Sequence, residues 1–262
     1  MPESKAVEML GLEGKSAIVT GASRGIGEAI ARALVSAGVG VVGLGRTFPN
    51  NWEAQFEDQG KVLRLVGDVS DPSTAERALK AALGQYGKID ILVNNAGIVI
   101  NTGIANLNME DWDKMMDTNL KSFVYFSRAV CPELIRQKNG RIVNVSSVAA
   151  EFYESGLLAY TTTKGAINSF TKALAVDLGP HNVTVNAVAP GWVNTTMGAG
   201  SLSKEKLQPV LERIPLGHVA STDEIASVVL FLCSNLSRYM TGQVVIVDGG
   251  ETIEGTIKGV QY

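Results

Sequence analysis

The sequence predicts an α/β fold, a doubly wound sheet of parallel strands with helices on both faces. Three observations carry that prediction. Seven short runs rich in Val and Ile recur along the 262 residues, longer segments of helical spacing separate them, and no linker or internal repeat divides the chain. Apolar residues make up 45% of the composition and Pro is scarce at 8, so a full core can close. We expect one domain over residues 1–262.

The predicted strands are Ser16–Thr20, Gly40–Leu44, Val62–Val66, Ile89–Asn94, Arg141–Ser146, Thr184–Ala189 and Gln243–Val247. Each is short and apolar on both faces, as parallel strands covered by helices on each side must be. The helical segments are Gly25–Ala37, Ser73–Tyr86, Trp112–Gln137, Tyr160–Leu178 and Thr222–Ser234. The last has a start signal: Ser221 or Thr222 can cap, and Asp223 and Glu224 suit the positive helix end. Residues 190–221 are the longest stretch without strand signals. A lid over the substrate is expected at about 192–221, with Met197–Arg213 folding across. The tail after Gly250 carries no strong pattern.

Composition excludes several functions. The charges sum to 23 − 26 = −3 with no basic run, which argues against a nucleic-acid or anionic-membrane surface. No stretch of about 18 apolar residues is present to span a bilayer, and Met1–Leu12, with Glu3, Lys5 and Glu8, lacks a signal-peptide core. Two cysteines, Cys131 and Cys233, can form neither a disulfide framework nor a four-ligand zinc site, and they read as buried thiols. The two histidines, His181 and His218, show no metal-binding pattern and receive no role, so no metal is expected. These observations point to a soluble, reduced, cytoplasmic protein.

Glycine is abundant, 28 residues or about 11% against a usual 7% or so. Three glycines stand at 21, 25 and 27, between strand Ser16–Thr20 and the next helix. Gly21 permits a tight turn, and the bare backbone at Gly25 and Gly27 lets a pyrophosphate approach the helix N-terminus and its free N–H groups. The spacing is not the standard GxGxxG, and a plain packing turn would also use these glycines. Tyr160 and Lys164 stand four apart on a predicted helix, so an ammonium can lie beside a phenol and lower its pKa toward neutrality. A solvated pair or, for Ser147 after its strand, a helix cap are the plainer readings. A serine hydrolase would need a Gly-x-Ser-x-Gly elbow, and none is evident.

Taken together, these residues resemble the short-chain dehydrogenase/reductase family in its compact single-domain form, over roughly residues 12 to 250. The resemblance rests on Thr20-Gly21-x-x-x-Gly25-x-Gly27, Asp68, Asn94-Asn95-Ala96-Gly97, Asn119, Ser147, Tyr160-x-x-x-Lys164, Pro190-Gly191 and Val247-Asp248-Gly249-Gly250. It implies a Rossmann-type sheet of seven parallel strands, a homotetramer, and interconversion of a ketone and a secondary alcohol with NAD(P). Tyr160 would be the acid/base, Lys164 would lower its pKa and hold the nicotinamide ribose, Ser147 would orient the carbonyl, and Asn119 would support a water-linked proton path to Lys164. The cofactor set implied is Gly21, Ser23, Arg24, Gly25, Ile26, Gly27, Arg46, Asp68, Val69, Asn95, Ala96, Gly97, Tyr160, Lys164, Pro190, Gly191, Val193 and Thr195. Within it, Asp68 would bond the adenine, and the Val193 backbone and Thr195 side chain the carboxamide.

Relatives that use NAD place Asp or Glu at the end of the second strand. Here the position is Gly45, followed by Arg46, so a 2′-phosphate would meet a guanidinium and no repulsion. Arg24 can approach the same phosphate, and NADP is the expected cofactor. The substrate stays open among 3-oxoacyl thioesters, sugars, polyols and other ketones, and the missing basic patch weighs against an obligate acyl-carrier-protein partner. Glu151, Tyr153 and Glu154 would suit a hydroxylated substrate, and Phe152 and Trp192 an apolar one, although surface placement of both glutamates is the simpler expectation. A nucleotide-sensing protein that regulates a partner without turnover, and an isomerase or lyase using bound cofactor, are the competing functions.

Overall fold

The computed structural model describes residues 9–253. The amino-terminal residues Glu3, Lys5 and Glu8 and the tail beyond Ile253 lie outside the described residues. Seven parallel strands form one sheet: β1 (Ser16–Thr20), β2 (Gly40–Gly45), β3 (Val62–Val66), β4 (Ile91–Asn94), β5 (Gly140–Val145), β6 (Val183–Pro190) and β7 (Val244–Val247). Their order across the sheet is β3-β2-β1-β4-β5-β6-β7. Chain direction therefore reverses its progress between β1 and β4, where ligands meet doubly wound sheets.

Alternate residues of each central strand enter opposite cores. Ala17, Val19, Val41, Ile91, Val93 and Val143 face α1 (Gly25–Ser36) and α7 (Thr222–Cys233). Ile18, Val42, Leu44, Leu92 and Ile142 face α2 (Pro72–Tyr86), α4 (Ser122–Gln137) and α5 (Leu158–Leu178). Both faces are covered, so the central strands are buried throughout and mostly apolar, with Asn94, Asn144 and Asn186 as buried polar exceptions. The expected strand Ile89–Asn94 begins two residues later, at Ile91.

Two expectations need correction. Trp112–Gln137 is not one helix: α3 (Met109–Met116) passes through a π-helical turn at Asp117–Lys121 before α4 begins. Such a turn is a one-residue insertion inside otherwise helical spacing, and no breaker residue marks it in the sequence. The stretch 190–221 is also more ordered than its composition implies, with a helical turn at Ala199–Ser201 and α6 at Lys204–Leu211. Pro209 inside α6 reads as a breaker, which hides the helix.

The cap read at Ser221 is a full capping box. Its hydroxyl accepts from the Glu224 N–H, and the Glu224 carboxylate accepts from the Ser221 N–H at 2.7 Å. Ser221→Ala should lower stability by about 1 kcal/mol in chemical denaturation. An unchanged midpoint would mean that the box contributes nothing to the fold.

Candidate active site

The glycine turn after β1 and the loop after β4 touch at the middle of the sheet. The Thr20 hydroxyl accepts from the backbone N–H groups of Asn95, at 2.9 Å, and Ala96, at 3.0 Å. The Asn95 amide donates back to the Thr20 carbonyl at 2.9 Å. A Cβ on Gly27 would lie 2.2 Å from the Gly21 carbonyl oxygen, and one on Gly21 would lie 2.9 Å from the Ala96 Cα. Gly21 also holds φ at +67°, a left-handed conformation that glycine adopts without strain. These glycines are fixed by close approach of backbone, and the N-terminus of α1 is thereby pointed into an open cleft.

That cleft is a cavity of about 520 Å³ along the carboxyl ends of the strands. Ser23, Arg24, Gly25, Ile26, Arg46, Asp68 and Val69 line one end, with Gly21, Gly27, Asn95, Ala96 and Gly97 at its middle. Ser147, Tyr160, Lys164, Pro190, Gly191, Val193 and Thr195 line the other. Residues scattered over 21–195 in the sequence thus border one space. Asn119 does not line it. It is fully buried in the π-helical turn, where its side chain accepts from Ile98 N at 2.8 Å and donates to Ile98 O at 2.9 Å. It acts from behind the cavity, binding the loop after β4 to the α3–α4 junction. From the Cβ direction of Gly97, the Asn119 carboxamide oxygen is 3.5 Å away and Lys164 Nζ 3.9 Å, so the two groups flank one small space.

The open end of β2 explains itself sterically. A side chain at Gly45 would begin 2.9 Å from Ser23 Cβ and 3.1 Å from the Phe48 ring, leaving no room for an Asp or Glu. Arg24 and Arg46 are exposed there. Asp68 accepts from Ser70 N and Oγ, and although partial burial opposes ionisation, these bonds and the Arg46 charge hold its carboxyl below the usual range.

At the opposite end, Ser147 caps a short helical turn, its hydroxyl accepting from Ala149 N at 3.1 Å. Tyr160 lies in the first turn of α5 and Lys164 one turn on, with the ammonium 5.5 Å from the centre of the phenol ring. Lys164 is 4% exposed and donates to the Val145 carbonyl at 2.8 Å. Burial brings its pKa down to about 7. The expectation that Lys164 pulls the phenol down is not met in this arrangement. Burial raises the Tyr160 pKa, and only the hydrogen bond with Ser147 works against that rise. Lys164 Nζ donates to the Val145 carbonyl and lies over the ring face, and burial is the larger influence on the phenol.

The sequence reading missed two residues here. Glu251, after β7, lines the cavity at 4% exposure, and Arg213 stands behind it. Neither lies in a motif, and only the fold brings them to Glu154. Burial raises the Glu251 carboxyl, against the pull of Arg213. Cys233 is buried, as expected, whereas Cys131 is only partly so. No helix among the described residues is long and apolar enough to cross a membrane, and no cluster of three or more potential ligands could hold a metal.

Comparison with known proteins agrees with this geometry. Residues 21–252 match the family model described as enoyl-(acyl carrier protein) reductase. The chain is 39% identical over 246 residues to a 3-oxoacyl-(acyl-carrier-protein) reductase of Vibrio cholerae, covering 92% of this chain and 98% of that one. Among solved structures, a putative short-chain alcohol dehydrogenase of Sinorhizobium meliloti superimposes with a TM-score of 0.87 at 35% identity, over 92% of this chain and 97% of that one. A gluconate 5-dehydrogenase of Burkholderia cenocepacia, solved with NADP and tartrate, gives 0.88 at 31% identity, over 95% and 99%. These relatives are named for reactions, and none supports the regulatory alternative.

The buried lysine makes a pH signature. An ordinary Lys titrates near 10.5 and Lys164 near 7, so between those values the unfolded chain holds a proton that the folded chain lacks. Stability contributed at this site must then rise with pH across that window. The unfolding free energy of the wild type minus that of Lys164→Met should climb from neutral to alkaline pH. A difference that stays flat would refute the burial-driven shift.

Proposed function

The chain belongs to the short-chain dehydrogenase/reductase family, and from that membership we propose that it is a cytoplasmic NADP(H)-dependent carbonyl reductase, interconverting a ketone and a secondary alcohol. One observation carries the reading: Ser147, Tyr160 and Lys164 border the same cavity as a glycine-lined helix N-terminus and two exposed arginines.

The residues present fit the cofactor. The bare backbone of Gly21, Gly25 and Gly27 leaves the α1 N-terminus open to a pyrophosphate, and Gly45 leaves Arg24 and Arg46 to meet a 2′-phosphate. Asp68 would bond the adenine, and the Val193 backbone and Thr195 side chain would carry the carboxamide. NADPH, when bound, supplies the hydride.

Tyr160 does the proton chemistry. Burial keeps the phenol protonated at neutral pH, the form needed to donate to a carbonyl oxygen in reduction. Ser147 orients that oxygen and would stabilise the phenolate left behind, since its hydroxyl is what opposes the rise in the phenol's pKa. Lys164 would hold the nicotinamide ribose and add positive charge beside the spent phenol when protonated. Asn119, across the space beside Gly97, would support the path that returns the proton. Two free cysteines agree with a reducing compartment. Exposed apolar side chains on α5 and β7, Leu158, Val176 and Ile246, agree with assembly as a homotetramer.

Tyr160→Phe should cut turnover by about 10²–10⁴-fold while NADPH binds as before. Turnover at the wild-type level in that variant would reject the proton donor. Arg46→Asp should weaken NADPH by about tenfold or more and leave NADH nearly unchanged, as fluorescence titration would read. An unaltered preference between the two cofactors would overturn the NADP assignment.

A further inference from the structure

Three segments far apart in sequence meet at the substrate end of the cavity. Glu154 comes from the loop after β5, Arg213 from the end of the lid, and Glu251 from the turn after β7. Arg213 stands between the carboxylates, 3.5 Å from Glu154 Oε1 and 3.4 Å from Glu251 Oε1, and its guanidinium lies 4.7 Å from the centre of the Phe152 ring. Glu251 also faces Asp248, and the Trp192 side chain is directed toward its carboxylate without closing a hydrogen bond to Oε2. Its Oε2 is buried and has no hydrogen-bond partner among the described residues, although Glu251 lines the cavity. A buried carboxylate oxygen without a donor costs free energy that a ligand donor would recover.

We propose that Glu154 and Glu251, braced by Arg213, form a hydroxyl-recognition site that selects neutral polyols and their ketones over anionic substrates and acyl thioesters. The inference rests on the carbonyl-reductase reading above. Two carboxylates face one guanidinium, so a substrate carboxylate entering here meets net negative charge. An ammonium would be drawn to the carboxylates but would sit beside the guanidinium that joins them. A neutral hydroxyl offers the missing donor and avoids both repulsions. An acyl chain offers no donor and would leave Glu251 Oε2 unpaired. Phe152, Trp192 and Met197 line the same end and provide apolar surface for the carbon backbone of a polyol. Arg213 holds both carboxylates before the substrate arrives, which lowers the ordering cost of binding.

The test compares oxidation rates with NADP⁺ at neutral pH. The hexitols sorbitol, mannitol and galactitol are set against the matching aldonates and a 3-hydroxybutyryl thioester of N-acetylcysteamine. The best hexitol should exceed the best aldonate and the thioester in kcat/KM by about tenfold or more. Glu154→Gln and Glu251→Gln should each raise the hexitol KM by about tenfold, with a smaller effect on kcat, and narrow the gap to the aldonate. Glu154 is partly exposed, so its variant reports even if the buried Glu251 variant folds poorly. A wild-type preference for an aldonate or the thioester would overturn the proposal, as would variants that slow all substrates equally. Either result would still leave a working alcohol dehydrogenase, because turnover of any one compound sustains the carbonyl-reductase reading. Cofactor binding with no turnover of any of them would reject both.

Discussion

The contact between the turn after β1 and the loop after β4 is the constraint on which the site depends. Thr20 and Asn95 exchange hydrogen bonds across it, and the glycines at 21 and 27 allow two backbones to approach closer than any side chain would permit. This closeness aims the N-terminus of α1 along the cavity and sets Gly97 beside Asn119 and Lys164. That approach opens a cofactor-sized cleft with Ser147, Tyr160 and Lys164 along its far end.

Beneath the site lies a buried polar layer that an apolar core would not need. Asn94 donates to Asn144, which donates to Thr171, and Ser146 donates to Asn168. Networks of this kind hold side chains in one arrangement, because a shift would strand further buried donors or acceptors, although Asn94 Oδ1 is itself buried without a hydrogen-bond partner among the described residues. Ser146 precedes Ser147, and Asn168 lies one turn beyond Lys164 on α5. The network therefore ties the end of β5 to the helix that carries Tyr160 and Lys164. Lys164 itself is buried against the Val145 carbonyl, which depresses its pKa. The same burial raises the phenol, so the two proposed partners in proton transfer are both shifted toward their neutral forms. For Tyr160 that is the form that donates.

The cavity is electrically asymmetric. Arg24 and Arg46 stand at the end under β2, and Glu154 and Glu251 at the end beside β7. A ligand with phosphate at one end and hydroxyls at the other would find complementary groups along its length. A chain with a net charge of −3 gives no sign of this separation in its composition.

Local pattern was enough to read most of the architecture. Short two-sided apolar runs define strands buried on both faces, as at Ser16–Thr20, and the run Val62–Val66 also matches its observed bounds although β3 is a partly exposed edge strand. The glycine turn, Ser147, Tyr160 and Lys164 were each weak signals locally, and they were legible because their order and spacing along residues 12 to 250 resemble one family. What escaped the sequence depends on contacts between distant segments. The π-helical turn at Asn119 is a one-residue insertion with no breaker to mark it, so it shows only where Asn119 reaches Ile98. The direction of the Tyr160 shift depends on how deeply the fold buries the phenol and on where the ammonium points. Glu154, Arg213 and Glu251 carry no spacing signal, because three loops from separate parts of the chain bring them together. Sequence alone determined the sheet and the glycine turn, matters of local periodicity and short-range chemistry, and its likeness to a family pointed to Ser147, Tyr160 and Lys164 as the proposed reacting side chains. The tertiary structure decided the burial and charge around them, because both are sums over neighbours that only folding supplies.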